Sequence, residues 1–177
     1  IIIPWLKENY DNCEVIAVAA TAFKQNKDIT SVVLPDDCID VKRGAFAECS
    51  GLKSVRLSPN MTAFNAQVFD RCTALEEITI PGGIATITGT QFQGCSSLKK
   101  IILAESDKEV NFTVAAWGNT KTEAEGGYGK PVVEHLVINR PIATVTVADA
   151  PFKGLTTLKK VEIGAQCTKL SPSYFAG

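Results

Sequence analysis

Leu52-Lys-Ser-Val-Arg-Leu-Ser-Pro59 is answered by Leu75-Glu-Glu-Ile-Thr-Ile-Pro81, which carries the same pattern in different residues. Apolar side chains stand at Leu52, Val55 and Leu57 in the first stretch and at Leu75, Ile78 and Ile80 in the second. Working outward, one column runs Ile29, Leu52, Leu75, Leu98. The next two run Val32, Val55, Ile78, Ile101 and Leu34, Leu57, Ile80, Leu103. A fourth column is aromatic: Phe23, Phe46, Phe69 and Phe92 stand at equal steps, and the same step separates Phe152 from Phe175. Val55 and Leu57 are two apart and share one face of a strand, while Arg56 points away from it. A coil of this length cannot bury that face alone, so successive coils must stack to make one continuous core.

A period in the low twenties with Leu-x-x-Leu-x-Leu at its heart specifies a leucine-rich-repeat solenoid. The reading is a single right-handed solenoid over residues 1–177. Its short parallel strands are predicted near Val32–Leu34, Val55–Leu57, Ile78–Ile80, Ile101–Leu103, Leu136–Ile138 and Val161–Ile163. Phe46, Phe69 and Phe92 are predicted to form a buried ladder opposite the strands, with Cys49, Cys72 and Cys95 behind it. The register then breaks. Lys121 stands where the repeat would place the next apolar phrase, yet that phrase begins only at Val133. The one after it begins at Leu158 rather than at Thr156. The larger excess falls in Ala104–Pro131, a polar, glycine-rich stretch that holds Trp117 and Tyr128 and reads as an insertion within the solenoid. Residues 1–13 do not obey the columns, and the last repeat stops after Phe175-Ala-Gly177, so the expectation is a fragment of a longer array.

The Leu-x-x-Ile-x-Leu-Pro element, as at Leu75–Pro81, and the Ala-Phe-x-x-Cys element, as at Ala45–Cys49, resemble those of the BspA-like leucine-rich-repeat proteins of bacteria, found also in some parasitic protists. The resemblance runs from about Val15 to the C-terminus. It implies a secreted or surface-attached protein, extracellular in place, with adhesion or host binding as the activity seen in several members.

Composition narrows the remaining classes. With 18 basic against 19 acidic residues the net charge is −1, which argues against nucleic-acid binding by phosphate neutralisation. No apolar run approaches the length of a membrane-spanning helix. Six cysteines invite a disulfide reading. Neighbouring coils lie close enough for a bridge, but three cysteines in one column cannot all pair within it, so packed free thiols are expected. Asn26 and Leu155 fill that column in other coils, as expected of a buried packing position. His135 is the only histidine, no close cysteine pair suggests zinc, and no nucleophile elbow or phosphate loop occurs. The expectation is therefore no enzyme, cofactor or metal. Recognition, if present, belongs to surfaces. The candidate residues are Arg56, Glu77, Lys100, His135 and Lys160 on the outward side of the strands, with Trp117 and Tyr128 in the insertion. The partner expected is a protein or carbohydrate, host-derived molecules included. The alternative is a structural spacer whose activity resides in other parts of a longer protein.

Overall fold

The computed structural model describes residues 15–112, 131–143, 152 and 155–175. In chain order the strands are β1 (Ala17–Val18), β2 (Ser31–Val33), β3 (Asp40–Val41), β4 (Ser54–Arg56), β5 (Ala63–Phe64), β6 (Glu77–Ile80), β7 (Thr86–Ile87), β8 (Lys100–Leu103), β9 (Asn111–Phe112), β10 (His135–Ile138) and β11 (Lys160–Ile163). All six strands expected from the repeat are present, each starting next to its predicted position. They are parallel and in register: Val32 faces Val55, and Ile78, Ile101, Leu136 and Val161 align across the following coils. The chain is a solenoid of stacked coils with the period of a leucine-rich repeat.

The short strands form a second set of ladders. β1, β3 and β5 pair in parallel, as do β7 and β9. A third side is built from turns whose amides donate to the next coil, Phe23 to Ala45 O at 2.8 Å, Phe46 to Val68 O at 3.0 Å and Phe69 to Gln91 O at 3.0 Å. Those turns need left-handed backbone at fixed places. Gln25, Glu48, Arg71 and Gly94 occupy one such column, and only the last is a glycine. Stacking thus satisfies backbone groups and apolar faces together.

The core follows the predicted columns. The rings of Phe23, Phe46, Phe69 and Phe92 stack with centroids 5.2, 5.7 and 6.1 Å apart. Cys49, Cys72 and Cys95 lie buried and free, and their Sγ–H groups donate to the carbonyls of Phe23, Phe46 and Phe69 at 3.0, 3.1 and 3.0 Å. Burial raises all three thiols; Cys95 is pushed up to about 12 and Cys72 further still. Cys38 is also buried and free, and Cys167 is free and half-buried, whereas Cys13 lies outside the described residues.

Two expectations need correction. Asn26, which shares the thiol column, is exposed, and its Oδ1 accepts from the amides of Asp28 and Ile29 at 3.1 and 3.3 Å. The inward columns are not continuous to the end: Val161 and Ile163 of β11 are 38% and 57% exposed. The long strands also divide into two ladders, β2–β4 and β6–β8–β10–β11. Pro81 lies at the C-terminal end of this division. One coil later Ala104 donates its amide to Ile80 O at 3.0 Å, but Pro81 in the equivalent place has no N–H to offer Leu57 O. Residues 104–112, the first part of the predicted insertion, follow the solenoid: Val110 and Phe112 are buried and β9 pairs with β7.

Candidate functional site

The outward residues of the strands fall into two rows. Glu77, Lys100, His135 and Lys160 lie in direct register on β6, β8, β10 and β11. Thr79, Ile102, Val137 and Glu162 form the row beside it. Lys100 Nζ is 3.0 Å from Glu77 Oε2. Glu162 Oε1 receives Lys160 Nζ at 2.5 Å and lies 2.7 Å from His135 Nε2. The hydrogen bond from Lys160, then that from His135, holds the Glu162 carboxyl below the usual carboxylate range. Four of the predicted residues are therefore brought onto one face, in two ion-paired groups.

Arg56 stands apart from them across the break between β4 and β6. Its guanidinium is held by Asp36 Oδ1 at 2.7 Å and by Leu34 O at 3.1 Å. Arg56 lines an open groove of about 710 Å³ that runs along this break. Val55, Leu57 and Pro81 give the groove its apolar surface; Thr79 and the turn 104–108 complete it. The turn supplies Glu105, Asp107 and Lys108, so the groove offers charges of both signs within reach of apolar contact. Gly82 is needed where it is: a Cβ there would stand 2.6 Å from Glu105 O, too close for any side chain. Trp117 and Tyr128 lie outside the described residues.

Sequence reading missed the groove because its signal is one residue. Proline at 81, in the slot that Ala104 fills one coil on, removes the last amide donor at that end of the strands. It also missed Arg140, which is fully buried and donates from Nη1 to Gly82 O at 2.8 Å. Its Nε and Nη2 have no hydrogen-bond partner among the described residues, and burial brings its pKa down to about 10. Nothing in the repeat distinguishes that arginine from a solvated one. A second polar group lies on the turn side, where Glu48 accepts from Gln25 Nε2 at 3.0 Å and from Arg71 Nη2 at 2.9 Å.

Residues 16–116 match the family model of the BspA type leucine rich repeat region, in six copies. The chain belongs to this family. Its fold is similar to the crystal structure of a leucine-rich-repeat protein from T. pallidum, with 23% identity and a TM-score of 0.63 over 86% of this chain and 64% of that one. It is also similar to a leucine-rich cell surface protein from Faecalibacterium prausnitzii A2-165, with 22% identity and a TM-score of 0.55 over 97% of this chain and 35% of that one. The chain thus spans just under two thirds of the first relative and about one third of the second. No curated protein matches it. Among the described residues, no helix is long and apolar enough to cross a membrane, and no group of three or more His, Cys, Asp or Glu could hold a metal ion.

Proposed function

We propose that this solenoid is a non-catalytic recognition module of a cell-surface protein, binding a protein or glycan partner on its strand face at the groove between β4 and β6. The observation that carries this reading is the groove itself. It combines an apolar lining at Val55, Leu57 and Pro81 with donors and acceptors at Arg56, Thr79, Glu105, Asp107 and Lys108. Such a mixture orients a partner by a few polar contacts while burying apolar surface. The 104–131 stretch, whose first residues line the groove, also carries Trp117 and Tyr128, aromatic residues of the kind that add contact area to a recognition surface. Catalysis finds little support in the same residues. The buried thiols are held protonated, which removes them as nucleophiles, and His135 is engaged with Glu162.

A glycan-array and matrix-protein binding screen tests this with the parent chain, Thr79→Trp to fill the groove, and Trp117→Ala. Folding of each variant is first checked by circular dichroism. Binding by the parent that Thr79→Trp abolishes is the expected result. A partner held equally by both variants would place recognition elsewhere. A folded parent that binds nothing would favour the spacer.

A further inference from the structure

The face made by the turns carries an open pocket of about 290 Å³, bounded by residues 20–24, 43–47 and 67–71 of successive coils. Ala20, Gly44 and Ala47 leave the space, and Lys24, Arg43, Asp70 and Arg71 supply its charge. Stacking does not ask for these charges. One coil to either side of Arg43 stand Ala20 and Ala66, and one coil before Asp70 stands Ala47. Two of the charged groups have capacity to spare. Asp70 is 5% exposed; Arg71 Nε donates to its Oδ2 at 3.2 Å, while Oδ1 has no hydrogen-bond partner among the described residues. Arg43 donates from Nε to Gln67 Oε1 at 2.9 Å and has no carboxylate partner among the described residues. Lys24 and Arg71 are engaged differently, with Nζ and Nη2 at 3.5 and 2.9 Å from Glu48 Oε1.

We infer that this pocket binds an acidic sugar, taking its carboxylate on Arg43 and a hydroxyl beside that carboxylate on Asp70. Each half of the ligand follows from one group. The Arg43 guanidinium keeps Nη1 and Nη2 in the planar fork that pairs with a carboxylate. A buried carboxylate oxygen that lacks a donor costs stability until one arrives. The Asp70 carboxylate turns readily about its last torsion, so Oδ1 can meet a donor that enters beside Arg71. That donor is a hydroxyl rather than an ammonium, because Lys24, Arg43 and Arg71 outnumber Asp70 and Glu48 and repel a second cation. A carboxylate flanked by hydroxyls is the chemistry of a uronic acid. The pocket is at the small end of ligand sites, suited to one sugar residue. It shares no residue with the strand-face groove, so the two sites stand or fall separately.

Amide NMR shifts of the chain, followed as glucuronate is added up to roughly 50 mM to capture weak binding, test the proposal directly. The parent is expected to hold glucuronate about tenfold more tightly than glucose, which lacks the carboxylate, and than propionate, which lacks the hydroxyl. Arg43→Ala should weaken glucuronate by roughly tenfold or more. Asp70→Ala should bring glucuronate down to the level of propionate, while propionate itself is held as well as before or better, since a negative charge has gone. Both variants install the alanine of a neighbouring coil, and circular dichroism confirms that they are folded. Thr79→Trp, which fills the strand-face groove, should leave glucuronate binding unchanged. A parent whose amides do not respond to glucuronate would overturn the proposal. Glucose or propionate bound as well as glucuronate would overturn it too, as would binding indifferent to Arg43→Ala and Asp70→Ala. Binding lost in Thr79→Trp alone would overturn it by moving the sugar to the groove.

Discussion

The coils around β6 and β11 are written in almost the same words, Leu75-Glu-Glu-Ile-Thr-Ile80 and Leu158-Lys-Lys-Val-Glu-Ile163, and they occupy the same register of one sheet. Ile78 and Ile80 are enclosed, whereas Val161 and Ile163 are 38% and 57% exposed. The difference is one of neighbours. A coil near the middle receives apolar cover from both sides, while among the described strands the last receives it from β10 alone. In a stacked fold burial belongs to the interface between units as much as to the unit, and stability is a sum over such interfaces. The same sentence therefore carries a different free energy at different places in the stack.

The largest expected effect lies in the enclosed region. Phe69 stacks between Phe46 and Phe92 and is wholly buried. Phe69→Ala should cost about 3–5 kcal/mol through lost transfer energy and the cavity left behind. Equilibrium urea unfolding measures it, and a loss below about 1 kcal/mol would mean that the column repacks freely.

A matched pair sharpens the comparison further. Ile78→Ala should cost about 2–5 kcal/mol, as expected for a full core site, and Ile163→Ala less than about 1 kcal/mol because much of its surface is already in water. Both are read from urea midpoints in dilute protein. Equal losses would contradict the dependence on neighbours.

The smallest effects are electrostatic and have opposite signs in the two regions. Glu162, exposed on β11, is held below its usual 4.5 by Lys160 and His135. A carboxyl whose folded pKa is lowered contributes stability above its unfolded pKa and loses it as the pH falls through the folded value. Glu162→Gln should therefore lower the melting temperature slightly at pH 7, with the difference fading in acid. Asp70, in the middle of the stack, is 5% exposed, and its Oδ1 has no hydrogen-bond partner among the described residues. Burial raises its pKa despite the neighbouring Arg71. Its folded form binds a proton more readily than the unfolded chain, so its charge is a liability at neutral pH that protonation relieves. Asp70→Asn should then improve stability more at pH 8 than near pH 4, as thermal melts at the two values would show.

How much was legible follows from the same physics. The strand positions, the phenylalanine ladder and the buried thiols could be read because stacking forces one residue type into one column for coil after coil. Single departures from the pattern were harder to weigh. Pro81 removes one donor at the edge of the groove, and that consequence needs the partner carbonyl of Leu57 to be seen. Asn26 occupies a column of buried thiols but caps a turn at the surface instead. The candidate site was legible only in part. Glu77, Lys100, His135 and Lys160 were found because outward positions alternate with inward ones. The groove beside Arg56 was not, since it is made by three coils together and by no motif of its own.

Amide hydrogen exchange, followed strand by strand, tests the dependence on neighbours most directly. The account predicts strongest protection in β8 and β10, each paired on both sides. It predicts that β11 exchanges faster than both, despite its full register with β10. Protection of β11 equal to that of β8 and β10 would contradict it, because the coil would then be carrying its own stability without a second neighbour.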